Sequence, residues 1–230
     1  MLLAGGIGSR LRPVTDSMPK CLVPIKGRPL LQIWLDQLLP EYISTIVINT
    51  HYLALQVEYF VSNSKWKDRI VLVNENLLLG TAGTLLNNRK FFSSSSFMVA
   101  HADNLSKFNV LDFIKCHQLR SADTQITMMT FVTDDPTSCG IVELDDENIV
   151  VAFHEKIVNP PSNLANAAIY IMEPTVLDFI ASIGKSEIDI ALDVLPAYLG
   201  KIQTFRNDVY HRDIGTIKSY KKANEEFNFE

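Results

Sequence analysis

The first residues whose types and spacing could do chemistry are Gly5-Gly6-Ile7-Gly8-Ser9-Arg10. They follow the apolar run Met1-Leu2-Leu3-Ala4, which reads as a short buried strand. In an open α/β sheet, ligands bind at the carboxyl ends of strands. Glycines there let the backbone approach a phosphate and aim N–H groups at it. Arg10 adds a fork of donors suited to a polyphosphate. The chemistry in view is therefore phosphate binding, although a lone Gly-Gly-x-Gly also fits a tight turn with a surface arginine. The loop is not the dinucleotide fingerprint, because Leu11 or Arg12 stands at the third glycine position. It also lacks the Gly-Lys-Ser/Thr of a P-loop. With no well-placed acidic residue after the second strand, a dinucleotide-dependent oxidoreductase is excluded.

A second segment follows, Ser17-Met18-Pro19-Lys20-Cys21-Leu22-Val23-Pro24-Ile25. Together, Leu3–Pro13 and Met18–Ile25 closely resemble the LAGGxGTRLxP…PKxLxP signature of the sugar-1-phosphate nucleotidylyltransferases, with Ser9 for the usual Thr. A further segment, the LGTAG of residues 79–83, is most familiar from guanylyltransferases acting on mannose-1-phosphate or heptose-1-phosphate, although uridylyltransferases can carry it. The resemblance implies a Mg²⁺-dependent transfer of a nucleotidyl group from an NTP to a sugar-1-phosphate, with release of pyrophosphate. GTP is the expected donor and UTP the runner-up. It further implies that Leu3, Ala4, Gly5, Gly6, Gly8 and Ser9 wrap the nucleotide and that Arg10 neutralises charge on its phosphates. Lys20 would contact the α-phosphate and the sugar phosphate.

Further blocks carry the same resemblance. Leu79-Gly80-Thr81-Ala82-Gly83 is similar to the family's LGTAG segment, so Gly80, Thr81 and Ala82 are expected to line the nucleobase, with Glu75 near it. Met98–Asn104 resembles the strand whose aspartate, here Asp103, holds the metal, with Ala102 for the usual glycine. Phe153-His154-Glu155-Lys156 is similar to FxEKP, with Ile157 for the proline. It implies that Glu155 holds sugar hydroxyls and Lys156 the sugar's phosphate. Asn166-Ala167-Ala168-Ile169-Tyr170 resembles Asn-x-Gly-x-Tyr, with Asn166 toward a sugar hydroxyl and Ala168 narrowing the pocket by a methyl. Asp193-Val194-Leu195-Pro196 is a weaker match. His211-Arg212-Asp213-Ile214-Gly215-Thr216 resembles W-x-D-I-G-T and implies Asp213 as the second Mg²⁺ carboxylate.

The elements that must position these residues alternate. Strands are expected at Met1–Ala4, Thr45–Asn49, Arg69–Val73 and Phe97–Ala100, with helices from Pro29 to Leu39, over 53–62, from Leu85 to Phe92 and over Val110–Leu119. Four serines, Ser93–Ser96, read as a polar connection. After about residue 125, strands at Gln125–Val132, Gly140–Leu144, Ile149–Glu155 and Asn166–Met172 follow one another. Helices return over 175–182, 189–199 and 215–227. This is an α/β chain with a mixed, mostly parallel sheet. The resemblance makes it a Rossmann-like three-layer sandwich of the glycosyltransferase-A-like nucleotidyltransferase type. A single catalytic domain over 1–230 is expected, with a nucleotide-binding half (1–120) and a sugar-phosphate-binding half (121–230). The resemblance runs from residue 2 to about 225, and a minimal catalytic domain is expected.

Composition agrees. Of 230 residues, 47% are hydrophobic and 20% charged, an ordinary globular profile. The formal net charge of −5 argues against a nucleic-acid binder. Residues 1–28 nevertheless hold five cations (Arg10, Arg12, Lys20, Lys26, Arg28) against one acid, Asp16. Cys21, Cys116 and Cys139 are too scattered for a disulfide framework or a zinc site. No apolar run reaches the ~20 residues of a membrane span, and no signal peptide is apparent, so a cytoplasmic setting without a membrane partner is expected. A homodimer is left open. Ala102, Ile157 and Ala168 also motivate a competing reading, a non-catalytic nucleotide-sugar-binding regulatory homologue.

Overall fold

The computed structural model describes residues 1–39, 42–92 and 94–229, so Ser93 of the expected serine connection lies outside the described residues. The chain forms two compact units. The first comprises Met1–Leu78, His101–Val110 and Val209–Glu230, and the second Leu79–Ala100 and Leu111–Asp208. Each unit is assembled from separate stretches of the chain, so residues 1–120 and 121–230 each contribute to both.

In the first unit, parallel strands Leu2–Leu3, Ile46–Thr50 and Ile70–Asn74 lie side by side, in register Leu2↔Ile48 and Ile46↔Ile70. Ile46, Val47 and Ile48 are buried, as a β-branched run in a parallel sheet should be. The helix Leu30–Leu38 buries Leu30, Leu31, Ile33, Trp34, Leu35 and Leu38. Ala54–Ser62 forms the second helix. An unexpected two-stranded antiparallel ladder joins Asn104–Lys107 to Tyr210–Asp213, and the helix Ile217–Glu226 follows it.

In the second unit, Leu164–Met172 runs antiparallel to Phe97–His101 and to Ile126–Val132. Gly140–Leu144 and Val150–Glu155 form an antiparallel pair. Ile202–Arg206, not expected from the sequence, adds parallel to Ile126–Val132. Helices Thr81–Asn87, Val110–Leu119 and Thr175–Ile183 complete the unit. The α/β class with a mixed sheet is borne out. The helix expected over 189–199 is instead a π-type turn at Ile190–Val194 followed by a 3₁₀ turn at Leu195–Tyr198. Pro196 lacks the N–H that a continuous α-helix would use. Among the described residues, no helix is long and apolar enough to cross a membrane.

Candidate active site

The glycine loop is built from tight turns. Gly8 sits at φ 67, where a Cβ would lie 3.1 Å from Thr15 and 3.2 Å from the Lys20 side chain. Its carbonyl accepts from Leu11 N (3.0 Å) and Thr15 Oγ1 (2.8 Å). Tyr52, just before the second helix, and Gln56 on it hold the segment that follows. Tyr52 Oη donates to Thr15 O (3.0 Å), and Gln56 Nε2 to Ser17 O (2.9 Å). A 3₁₀ turn at Lys20–Leu22 then buries Lys20 and Cys21. Burial pushes the Cys21 thiol up to about 12, so it is an inert packing group.

Lys20 is the centre of the site. Its residue is 5% exposed, and its ammonium lies 3.0 Å from Asp103 Oδ2 and 3.2 Å from Asp213 Oδ1. The carboxylates themselves are reachable from solvent, with side chains 32% and 47% exposed. Arg10 stands 3.9 Å from Asp213 Oδ2. Burial acts to lower the Lys20 pKa, but the two carboxylates outweigh it and hold the ammonium above its ordinary range. Burial acts to raise Asp103, and Lys20 and His101 more than reverse that.

The tertiary structure explains how residues 83 to 193 apart in sequence meet. The Tyr210–Asp213 strand pairs with Asn104–Lys107 so that Asp213 faces Asn104, the neighbour of Asp103. Trp34 Nε1 donates to Asn104 O (2.9 Å), fixing that corner to the first helix. Ala102, where the family has glycine, is fully buried, has no left-handed backbone and donates its N–H to Leu3 O (2.9 Å). No backbone angle is lost there. Gly215 N donates to Asp213 Oδ1 (2.8 Å). A Cβ on Gly215 would lie 2.9 Å from that oxygen and 3.2 Å from Arg10, so glycine keeps the carboxylate where it is. At His211, where the family has an aromatic residue, loss of solvent lowers the imidazole to about 3 against the opposing pull of Asp213, so the ring is neutral.

Two carboxylates on one corner suit Mg²⁺, which is commonly held by one or two carboxylates while retaining waters and substrate phosphates. Among the described residues there is no group of three or more His, Cys, Asp or Glu that could form an all-protein metal cage. Behind the loop, Asn49 Oδ1 accepts from Ala4 N (2.8 Å) and Asn49 Nδ2 donates to Glu75 Oε2 (2.9 Å). The sequence reading contained Glu75 but not Asn49.

The second unit carries a different constellation. Glu155 Oε1 accepts from Lys156 Nζ (2.8 Å). Opposite, Gly140 leaves room, because a Cβ there would lie 2.6 Å from Glu155 Oε2 and from the Phe153 ring and would displace them. Asn166 Oδ1 accepts from Ala168 N (2.9 Å), and Asn166 Nδ2 donates to Tyr170 Oη (2.7 Å). Burial raises the Tyr170 phenol against the hydrogen bond from Asn166, and the charges of Asp189 and Glu155 add to the rise. Asp189 was missed by the sequence reading; its only signal was its place shortly before Asp193.

Lys156 and Ala168 both have left-handed backbone, at φ 51 and φ 55. Ala168 lies in a register break between Asn166 and Tyr170. Outliers of this kind concentrate at functional sites.

The Leu79–Gly83 segment has a packing role of its own. Gly80 at φ 75 would place a Cβ 2.4 Å from Ile188 O. The N–H groups of Ala82 and Gly83 donate to that same carbonyl (2.9 and 3.1 Å). Thr81 Oγ1 donates to Asp189 Oδ2 (3.0 Å). The helix begins at Thr81, inside the stretch expected to be loop.

The chain is similar to proteins of known activity. The chain is 32% identical over 228 residues to mannose-1-phosphate guanylyltransferase of Mycobacterium tuberculosis, covering 97% of the chain and 62% of that protein. It is 30% identical over 240 residues to UTP–glucose-1-phosphate uridylyltransferase of Synechocystis, covering 97% and 61%. The chain thus spans about three fifths of the length of these curated relatives. The crystal structure of HddC from Yersinia pseudotuberculosis complexed with GMP-PN superposes with a TM-score of 0.79 at 26% identity, covering 99% of this chain and 98% of that one. Residues 1–229 match the Nucleotidyl transferase family pattern. The chain therefore belongs to the nucleotidyl transferase family, that of the sugar-1-phosphate nucleotidylyltransferases its motifs resemble.

Proposed function

We propose that this protein transfers GMP from GTP to mannose-1-phosphate or a heptose-1-phosphate, giving the GDP-sugar and pyrophosphate. The observation that carries the reading is the Lys20 ammonium seated between Asp103 and Asp213 beside the glycine loop. In this reaction a sugar-phosphate oxygen attacks the α-phosphate in line, so two anions must be brought together. Lys20 and Arg10 supply positive charge where charge develops, and the loop N–H groups of Gly5, Gly6, Gly8 and Ser9 orient the triphosphate. Asp103 and Asp213 would hold Mg²⁺, which when bound neutralises phosphate charge and templates the in-line geometry. Glu155, Asn166 and Lys156 supply hydroxyl and phosphate contacts to the sugar-1-phosphate. No covalent enzyme intermediate is required.

Glu75 supports GTP. Its Oε1 is buried and has no donor among the described residues. A carboxylate oxygen accepts only, and guanine offers N1–H and N2–H₂ donors. The relative named mannose-1-phosphate guanylyltransferase and the HddC complex with GMP-PN point the same way. A second reading, uridylyl transfer, is favoured by the 30% identical uridylyltransferase. Pyrophosphate release over a panel of GTP, UTP, ATP and dTTP with mannose-, heptose- and glucose-1-phosphates tests both. Turnover greatest with GTP and mannose- or heptose-1-phosphate is expected. Nucleotide binding without turnover on any pair would instead support the non-catalytic homologue.

A further inference from the structure

The relay behind the glycine loop does more than fill space. Three of the four polar handles of Glu75 are fixed by the protein. Its N–H donates to Thr50 O (2.9 Å), its carbonyl accepts from His51 Nδ1 (2.7 Å), and its Oε2 accepts from Asn49 Nδ2 (2.9 Å). Only Oε1 is left without a donor among the described residues, in a side chain belonging to a 5% exposed residue. A buried acceptor left unmade is costly, so the arrangement is built to be completed from outside the chain.

Asn49 decides which Glu75 oxygen that is. Both ends of its amide are committed, Oδ1 to the Ala4 N–H and Nδ2 to Glu75. Turning the amide would break both bonds at once. Gly5 leaves the room this requires, since a Cβ there would lie 2.8 Å from Asn49 Nδ2. The amide thus ties the backbone of the glycine loop to the orientation of one carboxylate.

We propose that Asn49 is a positioning residue that couples the glycine loop to Glu75 and thereby sets selection among nucleobases. The inference rests on the assignment of Glu75 to the nucleotide made above. It predicts a reversal that a merely structural asparagine would not produce. In Glu75→Gln, Asn49 Nδ2 still demands an acceptor. The amide oxygen of the substituted side chain is drawn to it, and an N–H donor is presented in place of the lone acceptor. In the double variant Asn49→Asp with Glu75→Gln, the aspartate still accepts from Ala4 N–H. It now also accepts from the amide nitrogen of the substituted side chain at position 75. That amide turns over, and an acceptor is presented again.

The experiment measures dissociation constants of the full chain for GTP, ITP, ATP and UTP by calorimetry, with circular dichroism to verify folding. Glu75→Gln is expected to reduce the preference for the favoured nucleotide over the next by at least about tenfold, the scale of one lost hydrogen bond to a charged group. The double variant is expected to regain most of it. Asn49→Asp alone sets two carboxylates against each other and is expected to weaken binding of all four. If the double variant is folded but discriminates no better than Glu75→Gln, Asn49 does not position Glu75 and the proposal is overturned. An unchanged ratio in Glu75→Gln also overturns it. Should the reversal occur about a favoured nucleotide other than GTP, the role of Asn49 stands and the guanine assignment falls. Wild-type protein that binds none of the four would end both.

Discussion

Around Lys20 the polar groups are held by charge, whereas around Lys156 an ion pair is joined by left-handed backbone. In the first unit, one buried ammonium draws Asp103 and Asp213 to within 3.2 Å, and neither aspartate has a left-handed backbone. In the second, Lys156 at φ 51 pairs with Glu155, and Asn166, two residues before Ala168 at φ 55, meets its neighbours through neutral hydrogen bonds. The difference suits the two proposed tasks. A triphosphate and a cation need concentrated charge, whose direction matters little. A sugar needs hydroxyl partners at set angles, which a strained backbone can enforce.

The comparison can be broken most sharply at Lys20. Lys20→Met removes the ammonium and leaves two carboxylates facing each other. Pyrophosphate release is expected to fall by about 10²–10³-fold, the scale for loss of a preorganised charge-stabilising group. Asp103→Asn is expected to cost about as much in turnover while the protein stays folded, because Lys20 keeps Asp213. Wild-type-like turnover in Asp103→Asn would remove the metal assignment.

Gly215→Ala probes position without touching charge. Its Cβ would enter the 2.9 Å gap to Asp213 Oδ1, and a displaced carboxylate of this kind is expected to lower kcat by about tenfold. An unchanged kcat would mean that the Asp213 placement has slack.

The pH dependence of stability tests the charge-held cluster of the first unit. Lys20 has a raised pKa in the fold, so its contribution is complete below its ordinary 10.5 and is lost as pH rises through the higher folded value. Asp103 has a lowered pKa, so its contribution is complete above 3.8 and is lost as pH falls through the lower folded value. Urea unfolding from about pH 3 to about pH 11 should show both arms. Lys20→Met should flatten the alkaline one, and an alkaline arm equally steep in that variant would assign it to other groups.

The smallest expected effect lies at Ala168. A left-handed alanine costs roughly 1 kcal/mol, so Ala168→Gly should raise the denaturation midpoint by the equivalent of about 0.5–1 kcal/mol. A fall would mean that the methyl's contacts outweigh the backbone relief.

Much of this site is legible in the residues alone. Gly5, Gly6, Gly8, Arg10, Lys20, Asp103 and Asp213 lie in motifs whose residue types advertise phosphate and cation chemistry, and four of them converge on one corner. Asn49 is not legible, because a polar residue at the end of an apolar strand has many uses. The LGTAG segment points to a wall for the base, and the approach of Gly80 to Ile188 O has no local trace. Over 189–199 the apolar spacing predicts a helix, and the competing signal of Pro196 is the one the fold obeys.

By itself the sequence determined the α/β alternation, the glycine loop and the cast of charged residues, since these depend on periodicity and side-chain chemistry. The tertiary structure decided which charges meet. The ladder that sets Asp213 opposite Asn104, the ammonium buried between two carboxylates and the Ala4–Asn49–Glu75 relay all arise from long-range pairing. Such pairings are chosen by the packing of whole elements, which no local stretch of residues encodes.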